Sequence, residues 1–239
     1  MVITVFAVVH KVPITRITQI KKITRDGHPK ANLRSSGATL YYNDIESNWQ
    51  IVMMPSENAP SKLIETPFPN VELQDVAKDG ENLLVTSFSG AVEKGGRPLW
   101  IMGATGGTPH RVKDRFCDYA RWSADNRKIA CVDQFSILLF DTDGSNVQNL
   151  GSFGSLPVGL LWSPNGDALR FVVLDGIART QTAWEIKINE EGEGVSTSSS
   201  KLALGKECCV GWMWTPDGKD FLYTRIQDSS IHPQNYSFD

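Results

Sequence analysis

The stretch WSPNGDALRF, residues 162–171, decides how this chain folds, because it returns with small changes as WSADNRKIAC at 122–131 and WTPDGKDFLY at 214–223. Each copy sets a bulky ring, a tight-turn quartet and a short apolar run in that order. In the quartet Ser163, Pro164, Asn165, Gly166 a hydroxyl comes first, Pro presets φ, and Gly takes the left-handed position that follows a type I turn. Thr215, Pro216, Asp217 and Gly218 repeat the recipe. Such a turn joins two antiparallel strands, one ending at the Trp and one beginning just after the Gly.

Working outward, VAKDG at 76–80, with Asp79 and Gly80 in its turn, and LRSSG at 33–37 fit as degenerate copies. The five starts, 33, 76, 122, 162 and 214, lie 43, 46, 40 and 52 residues apart, a recurrence that marks stacked or radial repeats. After each turn comes a second strand: TLYY at 39, LLVTSF at 83, KIACV at 128, LRFVV at 169 and FLYT at 221. A third follows in WQIVMM at 49, LWIMGA at 99, ILLFD at 137 and WEIKI at 184, and a weaker fourth in SKLI at 61, HRV at 110, QNL at 148 and KLAL at 201. Four strands in about 45 residues make one propeller blade. The predicted fold class is therefore all-β: a propeller of four-stranded antiparallel blades, four of them complete and a fifth begun. One blade alone leaves both faces of its sheet wet, so blades are stable only against neighbours.

Trp122, Trp162 and Trp214 fall at equivalent places. Each is expected to bury about 150–250 Å² between adjacent sheets. The other reading of these rings is an exposed row that stacks bases or sugars.

Composition agrees with the repeat. The chain has 239 residues, 41% hydrophobic and 21% charged, with seven Trp, twelve Pro and twenty Gly, which favours short strands and tight turns. No 12-residue window carries a helical stripe. The net charge of −3 excludes the broad basic field that holds a nucleic-acid backbone. The one local basic run is Lys11, Arg16, Lys21, Lys22 and Arg25. MVITVFAVV at 1–9 is apolar but short of the roughly 20 residues that cross a bilayer, and it lacks the charged start and cleavage site of a signal peptide.

Motifs for chemistry are sparse. Cys117, Cys131, Cys208 and Cys209 show no C-x-x-C pairing, and cysteine packs as a small hydrophobe, so buried free thiols are expected. Cys117 and Cys131 flank one predicted hairpin turn, and an oxidising compartment would permit a cross-strand disulfide there; periodicity leaves their register open. Asp141 to Asn146 resembles a calcium loop, yet Asn146 stands where an EF-hand needs Gly and Ser152 where it needs Glu, so this is a hairpin turn between a blade's third and fourth strands. GATGGT at 103–108 lacks the Lys-Ser or Lys-Thr of a phosphate cradle and is the corresponding turn one blade earlier. No G-x-S-x-G occurs. His10, His28, His110 and His232 are scattered through predicted loops and are expected to be solvated. Glu190 to Glu193 and STSSS from Ser196 look like a flexible hairpin tip. No catalytic residue, metal ligand or cofactor site is predicted.

The W-[ST]-[PA]-[DN]-[GN] turn followed by an apolar strand resembles the repeat of TolB-like six-bladed propellers over residues 24–225. A closer resemblance is to propellers attached to bacterial winged-helix transcriptional regulators, in segments similar to ITRDGHPKA (23–31), TPFPNVELQDVAKDG (66–80), PLWIMGATGGTPHRV (98–112) and ECCVGWMWTPDGK (207–219). In that family a cytoplasmic DNA-binding domain precedes a membrane helix, with the propeller on the far side. The resemblance implies that residues 1–22 are the apolar end of a membrane tether with its basic linker, residues 23–228 the propeller, and 229–239 an irregular tail. No winged helix is present, so DNA binding is carried over to no residue. Six blades need about 270 residues, and residues 33–239 supply four and the first hairpin of a fifth; QIKKIT at 19–24 stands where a strand completing the last blade would. An open ring of this kind would expose a sheet edge and favour aggregation.

The function expected is that of a non-enzymatic binding, scaffold or sensory module. Its protein or small-molecule ligand would lie at the blade-top loops or in the central channel, on the periplasmic or other extracytoplasmic side of a membrane. The rival reading is the gating propeller of a prolyl-oligopeptidase-type serine peptidase without its catalytic domain; a nonfunctional fragment is the third.

Overall fold

The computed structural model describes residues 22–55, 59–88, 96–176, 180–191, 194–202, 212–214 and 221–223. Residues 1–21 of the predicted tether and linker (1–22) and the tail at 229–239 lie outside them, as do His10, His232, Cys208 and Cys209. No helix occurs among the described residues, and so none long and apolar enough to cross a membrane.

Strands β1 (Lys30–Ser36), β2 (Thr39–Ile45), β3 (Trp49–Met54) and β4 (Lys62–Ile64) form the first sheet in chain order. The second holds β5 (Val71–Val76), β6 (Asn82–Ser87), β7 (Pro98–Gly103) and β8 (His110–Phe116). In the third are β9 (Tyr119–Trp122), β10 (Lys128–Asp133), β11 (Ser136–Asp141) and β12 (Gln148–Ser152). The fourth has β13 (Leu156–Trp162), β14 (Ala168–Asp175), β15 (Thr180–Glu191) and β16 (Gly194–Lys201), and β17 (Trp212–Trp214) pairs with β18 (Phe221–Tyr223) as a hairpin. All neighbours are antiparallel. The described residues thus form four propeller blades and a further two-stranded sheet.

Burial explains why the second strands are near-continuous apolar runs. In β6 and β10 all four central residues, Leu83 to Thr86 and Ile129 to Val132, are buried, because a blade lies against each face. Outer strands bury little: Ile64, Val112 and Leu150 are the buried residues of β4, β8 and β12. Each seam between blades has its own core. Tyr41 and Ile51 pack with Leu73 and Leu83 between the first two blades, Leu84 and Leu99 with Ile129 and Phe140 at the next, and Leu139 and Ile137 with Phe171 and Ile186 at the third.

β1 lies against β5, β5 against β9 and β9 against β13. The first strand of each blade is therefore its inner strand, and these strands together surround a common axis.

The turns that open the second, third and fourth blades share one construction. Gly80, Asn126 and Gly166 donate their N–H to the carbonyls of Ala77, Ser123 and Ser163 at 2.8, 3.0 and 2.9 Å, with φ of +76°, +60° and +79°. Ser123 and Ser163 add a side-chain cap, each Oγ accepting at 2.9 Å from the N–H five residues on, that of Lys128 or Ala168. LRSSG at 33–37 departs from this plan. Ser36 pairs directly with Thr39, leaving a two-residue loop whose first residue, Gly37, holds φ +57°. Ser35 and Ser36 stay in the ladder, paired with Leu40 and Thr39.

Further expectations are corrected. The fourth strand of the fourth blade is not KLAL from Lys201: β15 continues to Glu191, which pairs with Gly194, and Lys201 ends β16 opposite Trp184. STSSS is therefore strand and not hairpin tip, since Ser and Thr suit an outer strand whose Ser198 to Ser200 face solvent. Cys117 and Cys131 are not free thiols but a disulfide. The N–H of Asp118 bonds the carbonyl of Val132 at 2.8 Å, which holds the two Cα atoms at 5.6 Å, within bridging range. Of the proposed closing strand QIKKIT, residues 19–21 lie outside the description and 22–24 are not in a strand.

Candidate functional site along the inner strands

The predicted repeat residues sit at or beside the seams. Trp122 is 7% exposed and packs between the second and third blades. Trp162 is half-buried against the core of the next seam, and the Arg170 guanidinium lies 4.3 Å over the ring of half-buried Trp214. Asp79 accepts from Glu81 N at 2.9 Å and, across the seam, from Asn126 Nδ2 at 3.0 Å. A Cβ on Gly80 would come within 2.9 Å of Ser36 Oγ in the first blade, and one on Gly166, which follows Pro164 and Asn165, within 3.3 Å of Ala124 Cβ. Pro216, Asp217 and Gly218 lie outside the described residues.

A polar ladder along the axis was not legible as a motif. It begins at β-bulges: the ladders shift register between Ala31 and Arg34 in β1, and between Leu73 and Asp75 in β5. A bulge re-aims side chains and frees a backbone group. Arg34 Nε donates to the freed carbonyl of Gln74 at 2.9 Å, and Arg121 Nη1, from β9, donates to the same oxygen. Arg121 Nε reaches on to the Leu160 carbonyl in β13 at 3.2 Å. Asp75 lies beside both: Oδ1 is 3.8 Å from Arg34 Nε, and Oδ2 accepts from Trp122 N at 2.9 Å. Gln74 completes the joint, with Oε1 accepting from Ala120 N at 3.2 Å and Nε2 donating to Thr86 at 3.1 Å. At the first seam fully buried Asn43 does similar work, donating to Val71 O and accepting from Leu73 N, both at 2.8 Å.

Burial sets the electrostatics here. It pulls Arg34 down to about 9, helped by repulsion from Arg121 and opposed by Asp75. Burial also lowers Arg121. It raises Asp75, against the pull of both arginines. The one signal available in sequence is positional: Asp75 and Arg121 each immediately precede a turn-leading residue, Val76 or Trp122.

Other clusters are accounted for locally. Asp26, His28 and Asp44 bring ligand atoms within 4.8 Å of one another, but Lys30 Nζ lies 2.9 Å from both carboxylates and already supplies the cation. His28, 3.1 Å from Asp44 and 31% exposed, is thus a bonded anchor before β1 and not a solvated loop residue; His110 opens β8, exposed and in a strand rather than a loop. A cleft of about 240 Å³ between the third and fourth blades is lined by Asp125, Lys128, Trp162 and Asp167. A second, of about 420 Å³, lies beside half-exposed Phe135 on the β10–β11 turn.

With this geometry in place, similarity to solved structures can be stated. The fold resembles a TolB from Agrobacterium tumefaciens, with TM-score 0.58 and 16% identity over 84% of this chain and 82% of that one. It resembles TolB from Acinetobacter baumannii with TM-score 0.56 and 21% identity over 69% of this chain, which spans 42% of that one. A chain of a nidogen–laminin complex aligns with TM-score 0.52 and 14% identity, covering 82% of this chain and 81% of that one. No family model and no curated protein sequence matches the chain. At such identities the likeness shows the fold, a β-propeller, and nothing narrower.

Proposed function

We propose that the chain is a non-enzymatic binding module whose protein or small-molecule ligand enters at the axis, between the inner strands and the loops that meet there. The observation carrying this reading is the polar ladder of half-buried Arg34, Asp75 and Arg121 with buried Gln74, on strands of three successive blades. Loops and inner strands of every blade converge at such a point, which makes it the natural ligand site of a propeller. In the finer form of the proposal the propeller has six blades, residues 1–22 are a membrane tether, and the module is the extracytoplasmic, sensory part of a membrane-bound transcriptional regulator. The Cys117–Cys131 disulfide supports an oxidising compartment.

The binding role is tested by selecting a random peptide library against the folded protein and mapping the chosen peptide by hydrogen exchange. Protection is expected in β1, β5, β9 and β13; protection confined to β4, β8 and β12, or hydrolysis of the peptide, overturns the proposal. Reading the genomic sequence on both sides of the frame tests the finer form: an upstream winged helix supports it, and a downstream G-x-S-x-G hydrolase replaces it with the peptidase gate.

A further inference from the structure

The ladder at the axis is unbalanced in charge. Two guanidiniums, Arg34 and Arg121, converge on one carbonyl oxygen, that of Gln74, and the carboxylate beside them is Asp75. That carboxylate is already engaged, since its Oδ2 accepts the N–H of Trp122. Glu72, the other acid of β5, is committed elsewhere, to Arg97 and to Asn32. The remaining acceptors of Arg34 and Arg121 are neutral carbonyls of Leu33, Ala120 and Leu160, and β13 presents half-buried Val158 and Leu161 with no acid. Among the described residues neither Arg34 Nη2 nor Arg121 Nη2 has a hydrogen-bond partner. Arg34 keeps 23% of its side chain exposed, and Arg121 is half-buried. Burial first, and then repulsion from Arg121, holds Arg34 down to about 9 against the pull of Asp75.

We infer that Arg34 and Arg121 form an oxyanion site at the axis, which takes one carboxylate or phosphate group of the ligand between their free Nη2 donors. Guanidinium forks suit this because they offer paired, planar donors to planar or tetrahedral oxyanions, and charge-assisted bonds of this kind are roughly twice as strong as neutral ones. One monoanion would neutralise the excess. The inference rests on the axis being a ligand site and names the chemistry it selects.

The test follows the side-chain Nε–Hε signals of Arg34 and Arg121 by ¹⁵N NMR during titration with sodium acetate, sodium phosphate or sodium chloride at constant ionic strength. Saturable shifts of both signals with acetate or phosphate, and none with chloride, are expected. Tighter binding of acetate points to a carboxylate on a peptide or metabolite, and tighter binding of phosphate to a phosphate group. Arg34→Gln should weaken the effect at Arg121 by about tenfold or more, the loss of one charge-assisted bond. Arg34→Lys, which keeps the charge but not the fork, should weaken it less and guards against a folding defect in the first variant. Shifts that never saturate, or affinity unchanged in both variants, overturn the inference. That outcome leaves the binding role standing with a ligand neutral at this point. Failed peptide selection with saturable acetate shifts would instead remove the peptide and keep the anion site.

Discussion

Arg34 and Arg121, from the first and third blades, donate to one and the same acceptor, the carbonyl oxygen of Gln74 in the second. A single backbone atom released by a β-bulge thereby ties three sheets that share no ladder. Removing Arg121 would also leave Asp75 with less compensation. Arg121→Ala is therefore expected to cost about 1.5–3 kcal/mol, the worth of hydrogen bonds made by a charged group, measured by urea unfolding. A loss below about 0.5 kcal/mol, the level of an ordinary surface change, would show that the ladder is peripheral to stability.

The seam tryptophans make a graded prediction. Trp122→Ala and Trp162→Ala should each cost about 3–5 kcal/mol as large-to-small core changes, the first more because Trp122 is 7% exposed while Trp162 is half-buried. An unchanged melt accompanied by lost ligand binding would instead make the rings a recognition surface.

Two glycines separate backbone strain from contact between blades. Gly37→Ala meets open space at φ +57°, whereas Gly80→Ala at φ +76° also drives its Cβ to 2.9 Å from Ser36 Oγ. Left-handed backbone alone costs about 1–2 kcal/mol for an L-residue. Calorimetry should place Gly80→Ala below Gly37→Ala in melting temperature; equal losses would deny the close approach of the two turns.

Acid should weaken the third blade's turn. Burial alone would raise Asp125, but the Ser123 hydroxyl and the side chain and N–H of Arg127 outweigh it and hold the carboxyl at about 2. Its folded value lies below its unfolded one, so the stabilisation is present above about pH 4 and is lost as pH falls toward 2. Solvent screening keeps it under about 1 kcal/mol. Between pH 5 and 2 the wild type should lose its margin over Asp125→Asn; a constant difference would contradict the assignment.

The Cys117–Cys131 bridge closes a loop with a sequence separation of 14, for which chain entropy suggests about 3 kcal/mol. The double variant Cys117→Ser, Cys131→Ser should melt at a lower temperature than the oxidised protein. Equal melting temperatures would assign the bridge no structural weight.

How much of this was legible in sequence follows from what each feature depends on. Blades could be read because their signals are local: Pro164 and Gly166 specify a turn within four residues, and KIACV states by itself that both faces of β10 are covered. The short turn at Gly37 and the strand at STSSS were misread because loop length and register depend on the partner strand. The axis ladder stayed hidden for a related reason. Arg34, Asp75 and Arg121 stand 41 and 46 residues apart in the chain, and only the stacking of whole blades brings them to one carbonyl. The disulfide, likewise, needed the register that periodicity left open.

The most direct test of the account is a crystal structure of the oxidised protein at a resolution that orders the inner strands. It should show β1, β5, β9 and β13 side by side about one axis, with Arg34 Nε and Arg121 Nη1 both within hydrogen-bonding distance of Gln74 O. Sheets stacked face to face as a two-layer sandwich, or the two arginines turned away to separate partners, would contradict it.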